Sequence, residues 1–238
     1  MRCDKPEDHV SRGCRDGRNA HRPRVCVTLP QHAVAEAVHR LHGGEIIVHP
    51  TESVYGFGGL LEDAPVRALQ RLKGRSAGGF VVLIPAVDSV DGLLCDAGHA
   101  LAEAFWPGPL TIVLDDPDNR FHPSAKAADG SVAVRLPGCD ATLQLLMESG
   151  RSMTSSSANL PGFPPAVTAH EALAAARVGG MDLFALDAGV LAGGPTSTIV
   201  RLGRARPVLI REGRIGVLEL KEVAGIVLSD PHGSASGS

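Results

Sequence analysis

Apolar positions in residues 31–41 recur at helical spacing: Val34, Val38 and Leu41 share one face, and Gly43-Gly44 follows as a stop. Residues 45–49 then read as a short buried strand that ends at Pro50. A polar, glycine-rich stretch at 50–59 is expected to be a loop. Helical spacing returns at 64–73, where Val66, Leu69 and Leu72 align. Strands are predicted at 80–84, 110–114 and 132–136, with helices at 97–105 and 141–149. The helix at 168–176 carries Thr168 followed three residues later by Glu171, the spacing of a capping box. Residues 183–186, 198–202 and 208–210 read as late strands before a short helix from Gly216.

Strands alternate with helices along the chain, and neither a repeat nor an internal linker interrupts them. The expectation is a single domain of the α/β or α+β class at 25–228. Its strand order cannot be read from periodicity. The basic stretch 1–24 is expected to be a flexible extension and the polar stretch 229–238 a disordered tail.

Composition narrows this picture. Hydrophobic residues make up 44% and charged residues 21% of the 238, the balance of an ordinary globular protein. Aromatics are only 3%, so the core must be built from Ala, Val, Leu and Ile. A formal net charge of −3 gives no general attraction for nucleic acid, which would need a local basic patch. Cys3, Cys14, Cys26, Cys95 and Cys139 are scattered and odd in number, which argues against a zinc site or a disulfide framework. No apolar run reaches the about 20 residues of a membrane span. The first two dozen residues mix arginines with acids and lack an apolar core, so no secretory or transit signal is read and a cytoplasmic protein is expected.

Five polar segments carry the candidate chemistry, most of them at the ends of predicted strands. The stretch 50–59 offers the hydroxyls of Thr51, Ser53 and Tyr55 among glycines, suited either to a tight turn or to close backbone approach by a ligand. Lys73-Gly-Arg75 ends a helix, where cations complement the helix dipole without any ligand. Arg135 follows three apolar strand residues and is costly to bury unless it meets an anion. Thr154-Ser-Ser-Ser-Ala-Asn159 is a row of neutral donors, usable as a turn or for holding phosphate or carboxylate oxygens. Ser197-Thr198 and Arg211 lie near the last strand. No phosphate-loop, dinucleotide or zinc-protease motif is present. Together the segments supply cations and neutral donors with few carboxylates, a set better suited to stabilising an anionic substrate than to acid–base work.

In this order the segments resemble the threonylcarbamoyl-AMP synthases of the YrdC family. The matching pieces are Pro50 with its loop to Gly58, Lys73-Gly-Arg75, Trp106-Pro-Gly-Pro-Leu-Thr111 and Val134-Arg-Leu-Pro137. Ser155 to Gly162, Ser197-Thr-Ile199 and Arg211-Glu-Gly213 complete the series. The resemblance implies a twisted mixed sheet with an open, positively charged cavity. It implies a reaction that joins L-threonine, bicarbonate and ATP, with Mg²⁺ accompanying the ATP, to give threonylcarbamoyl-AMP and pyrophosphate. The product would serve tRNA modification, with tRNA and downstream modification proteins as possible partners and no membrane involved.

Carried over position by position, the resemblance places threonine on Ser53, Arg135, Ser155 and Ser197. It places ATP on Lys73, Arg75, Ser131, Ser157, Asn159 and Arg211, with Lys73 and Arg75 catalytic and no protein ligand for a metal. Where the family carries Pro after its Lys-x-Arg and then a polar residue three further on, this sequence has Ser76 and Gly79. A missing polar group at Gly79 should weaken amino-acid binding and be recovered by Gly79→Lys, unless a neighbour such as His49 substitutes. The alternatives are a carbamoyl-adenylate-forming relative with a different acceptor and a non-catalytic RNA-binding protein.

Overall fold

In the computed structural model, residues 29–75, 79–202 and 207–224 are described. The expectations for 1–24 and 229–238 fall outside them. In chain order the elements are α1 (Gln31–His42), β1 (Ile47–Pro50), β2 (Tyr55–Gly58), α2 (Asp63–Leu72), β3 (Val81–Leu83), α3 (Asp96–Phe105), β4 (Leu110–Asp115) and β5 (Ser131–Arg135). They continue as α4 (Asp140–Ser149), β6 (Met153–Ser157), α5 (Ala169–Val178), β7 (Phe184–Ala185), β8 (Thr198–Arg201), β9 (Val208–Arg211) and α6 (Val217–Ala224). The capping box on α5 is formed as its sequence predicts, with Thr168 and Glu171 each accepting from the other's end of the first turn.

Nine strands form one mixed sheet in the order β7-β1-β2-β6-β3-β5-β4-β8-β9. The pairs β1–β7, β3–β5 and β4–β8 are parallel and the other five are antiparallel. Side chains alternate across a strand, so each strand divides its residues between two faces. At the β1 end, Ile47 packs with Val34, Ala37 and Leu41 of α1 and Leu145 and Leu146 of α4. Val48 points the other way, into a cluster with Val66 and Leu69 of α2 and Ala172 and Ala176 of α5. Each fully buried Leu or Val of this kind contributes about 1.5–3 kcal/mol of hydrophobic stabilisation.

The other half of the sheet is covered differently. Ile112, Val132, Val134 and Val200 pack into a cluster with Leu101 and Phe105 of α3 and Leu220 of α6. Their neighbours Val113, Ala133, Arg135 and Ile199 belong to the opposite face and line a cavity. The same alternation that builds the core therefore delivers Arg135 to the cavity.

Part of the stretch read as a loop, and part of the one read as a turn or a row of ligand donors, are strands. Tyr55–Gly58 is β2, and Met153–Ser157 is a central strand between β2 and β3. In β2, glycines occupy alternate positions, so only Tyr55 and Phe57 carry the period-two signal, and both are buried in the α2/α5 cluster. In β6 a run of hydroxyls hides the same period. Among the described residues no helix is long and apolar enough to cross a membrane.

Candidate active site

The cavity has a volume of about 370 Å³. Seven of the ten residues singled out in the sequence line it: Ser53, Arg75, Arg135, Ser155, Ser157, Ser197 and Arg211. They come from the β1–β2 connection, the end of α2, β5, β6, the approach to β8, and β9. Among the described residues its lining holds three arginines and no carboxylate.

Arg135 is fixed before any ligand arrives. Its Nε donates to the Gly108 carbonyl at 3.0 Å, and its terminal nitrogen forms an ion pair with Glu52. The Glu52 carboxylate also accepts from the Gly138 N–H. Burial pushes the Glu52 acid up, but Arg135 and the Gly138 N–H more than offset that and hold it below the usual carboxylate range. Arg211 donates to the Ser197 carbonyl at 2.8 Å, and the Ser197 hydroxyl accepts from Thr111 at 2.9 Å. Burial, and then repulsion from Arg135, lower the affinity of Arg211 for its proton. Arg75 lies over the ring of Phe80, 5.7 Å from its centre.

Lys73, Asn159 and Ser131, three of the six residues that the resemblance places on ATP, are not part of the lining. Lys73 is buried, and its ammonium donates to the Ser157 carbonyl, the Asn159 carbonyl and Asn159 Oδ1 at 3.0, 2.7 and 2.8 Å. Its three protons are thus committed to the serine segment, so it acts by positioning that segment. Burial and then the charge of Arg75 pull its pKa down to about 8. Asn159 is occupied by Lys73, the Ser157 hydroxyl at 2.6 Å and the Phe163 carbonyl at 2.6 Å. Ser131 shares the face of Ala133 and Arg135 but lies at the outer end of β5. There it donates to Asp129 at 2.6 Å and accepts from Arg201 at 3.3 Å.

Gly79 lines the cavity, but a β-carbon on it would stand 2.7 Å from the Ala125 carbonyl oxygen. The backbone of 125–127 occupies the room a side chain would need, so the expected recovery by Gly79→Lys does not fit this site. Glu52 escaped the sequence reading as a site residue, and His49 entered it only as a substitute for the polar group missing at Gly79. Glu52 gives no signal that separates it from a solvent-facing acid in a polar stretch. His49 stands between apolar Val48 and Pro50. Its ring is fully buried, with Nδ1 3.1 Å from the Pro50 carbonyl and Nε2 3.1 Å from Ser155 Oγ. Burial lowers its pKa to about 4, so the ring is neutral near pH 7.

This is a mixed α/β protein with an arginine-lined pocket on the uncovered face of its sheet. Over residues 39–213 it matches the Sua5/YciO/YrdC family, whose description reads "Telomere recombination", and the chain belongs to that family. A relative from Mycobacterium leprae is 37% identical over 199 residues, covering 82% of this chain and 89% of its own length. A threonylcarbamoyl-AMP synthase from Bacillus subtilis is 31% identical, with 83% of this chain aligned to 58% of that protein. The crystal structure of Pyrococcus abyssi Sua5 complexed with L-threonine superposes with a TM-score of 0.78 at 29% identity. It covers 88% of this chain and 61% of the other. Escherichia coli YciO, at 21% identity and a TM-score of 0.67, shares the fold.

Proposed function

We propose that the chain is a threonylcarbamoyl-AMP synthase, forming threonylcarbamoyl-AMP and pyrophosphate from L-threonine, bicarbonate and ATP. The observation that carries this reading is the crowding of Arg75, Arg135 and Arg211 around one cavity whose lining, among the described residues, holds no acid. Like charges held together at a cost are suited to an anionic ligand, and here both reactants are anions.

In this reading Arg135, steadied by Glu52, holds the carboxylate of the amino acid together with Ser197 and Ser53. Arg75 and Arg211 face the phosphates and neutralise charge as pyrophosphate departs. The threonine nitrogen and bicarbonate first join through a new C–N bond with loss of water. An oxygen of the resulting carbamate then attacks the α-phosphorus, and the bond to the bridging oxygen breaks with its electron pair leaving on pyrophosphate. The carbamate is already deprotonated, so no general base is required. The nearest buried imidazole, His49, has both ring nitrogens engaged. What remains for the protein is alignment and charge stabilisation.

Among the described residues no cluster of three or more His, Cys, Asp or Glu could hold a metal ion. Glu52, the acid behind Arg135, is committed to that arginine and to Gly138. Mg²⁺ is assigned to the ATP as part of the substrate, as the resemblance implies. Supply of the product to tRNA modification and a cytoplasmic location belong to the same proposal.

The test is pyrophosphate release by the purified chain with ATP, Mg²⁺ and bicarbonate, with and without L-threonine, and separately with carbamoyl phosphate. Threonine-dependent release is expected. Equal release without threonine would sink the acceptor assignment, and release only with carbamoyl phosphate would favour the carbamoyl-adenylate alternative.

A further inference from the structure

The hydroxyl of Ser155 opens on the cavity, and its hydrogen bond among the described residues is to His49. The direction of that bond follows from the ring's other side. His49 Nδ1 lies 3.1 Å from the Pro50 carbonyl oxygen, which has no proton to give, so Nδ1 must carry the hydrogen. The ring is fully buried with Arg135 and Glu52 as the charged groups acting on it, and burial keeps it neutral. A neutral imidazole protonated at Nδ1 has a bare Nε2, and Ser155 Oγ at 3.1 Å must donate to it. A serine hydroxyl has one proton, so once that is given inward only its lone pairs are left for a ligand.

The backbone makes room for this pair. Gly56 stands opposite His49 in the β1–β2 register. A β-carbon there would come within 2.8 Å of Nε2 and 3.1 Å of Ser155 Oγ. Any side chain at position 56 would push the ring and the hydroxyl apart.

We propose that His49 is a positioning residue which makes Ser155 an acceptor only, so that this wall of the cavity selects the nitrogen of the amino-acid substrate. The inference rests on the threonine reading above. The arginines at the other walls take anionic groups, while a hydroxyl free to rotate would serve donors and acceptors alike. With its proton committed to His49, Ser155 accepts from an ammonium or carbamate N–H and turns away a carboxylate or phosphate oxygen. The amino acid is thereby oriented with its nitrogen toward β6 and its carboxylate toward Arg135. His49 itself touches no substrate.

The experiment compares His49→Phe, His49→Gln, Ser155→Ala and the His49→Phe/Ser155→Ala double variant with the unmodified chain. Dissociation constants for L-threonine and for ATP are measured separately by calorimetry, and the ring nitrogen shifts of His49 are read by ¹⁵N NMR without ligand. His49→Phe is expected to weaken threonine about tenfold and to change ATP by less than about twofold. His49→Gln, whose amide oxygen can occupy the place of Nε2, should recover most of the loss. Ser155→Ala and the double variant should lose the same amount, because one bond is removed in both. Equal weakening of both ligands, additive losses, or a ring protonated at Nε2 would overturn the proposal. If His49→Phe does not fold, the glutamine variant, Ser155→Ala and the ring shifts still decide it. An unmodified chain that binds ATP but no threonine would sink the threonine reading alone, while the ring shifts still report whether Ser155 is a donor to His49.

Discussion

Replacing Glu52 by alanine isolates the ion pair that sets Arg135. The Glu52 side chain is 1% exposed and that of Arg135 10%, so the pair is removed from bulk water on one side and opens on the cavity on the other. Taking away the carboxylate leaves a buried guanidinium short of a partner and the Gly138 N–H without its acceptor. Breaking one side of a buried pair costs about 3–5 kcal/mol. Arg135 keeps its bond to the Gly108 carbonyl and can draw water from the cavity, which places the expected loss near the lower end, about 3 kcal/mol. Urea unfolding should show a lower midpoint with an unchanged slope. Glu52→Ala/Arg135→Ala should be less destabilised than the two single losses added together, because the double variant leaves no unpaired charge. Pyrophosphate should also stabilise Glu52→Ala more than it stabilises the unmodified chain, since the released arginine gains an anion. A loss under about 1 kcal/mol with additive single effects would show the pair to be screened like a surface contact, and the account of Arg135 would fall.

Gly79→Lys is expected to lower the melting temperature, by an overpacking cost of about 1–3 kcal/mol, without tightening threonine. An unchanged melting temperature with stronger threonine binding would refute the contact with Ala125. Acid should weaken the fold through His49. Its pKa is lowered to about 4, so the unfolded chain takes up the proton first as pH falls. Stability is therefore intact above about pH 6.5 and declines toward about pH 4, by about 3 kcal/mol at this residue. Unfolding free energies measured over that range should show a flatter limb in His49→Gln, and identical limbs in the two proteins would contradict the buried neutral ring.

Much of the fold was legible because it depends on local periodicity. The helices at 31–41, 97–105 and 141–149 and the strands at 110–114 and 132–136 fall within a residue or two of their observed bounds. The two strands that were missed are those whose side chains serve the site. In β2 alternate residues must be glycine: a β-carbon at Gly58 would lie 2.4 Å from the Thr154 carbonyl, besides the crowding of His49 at Gly56. In β6 the positions facing the cavity must be hydroxyls. Glycines and hydroxyls leave little apolar alternation in these two strands. Site residues were legible as types, since cations and hydroxyls at strand ends have few structural uses. What type cannot reveal is which way a proton points or which neighbours a donor meets, such as the contacts of the Lys73 ammonium to Ser157 and Asn159.

The contacts of Lys73 bear on what a lysine variant would mean. Arg75 meets the cavity, whereas the Lys73 ammonium clasps the segment that carries Ser157 and Asn159. The two cations are coupled: burial and then Arg75 pull the lysine down to about 8, so the clasp is weakest where the cavity is most positive. An anion beside Arg75 would screen that repulsion and favour the charged lysine. Ligand binding and the firmness of the serine segment therefore reinforce each other, although the lysine need not touch the ligand. Arg135 and Arg211 are linked in the same way, because the lowered proton affinity of Arg211 comes in part from Arg135. An anion bound among these cations would relieve both repulsions at once.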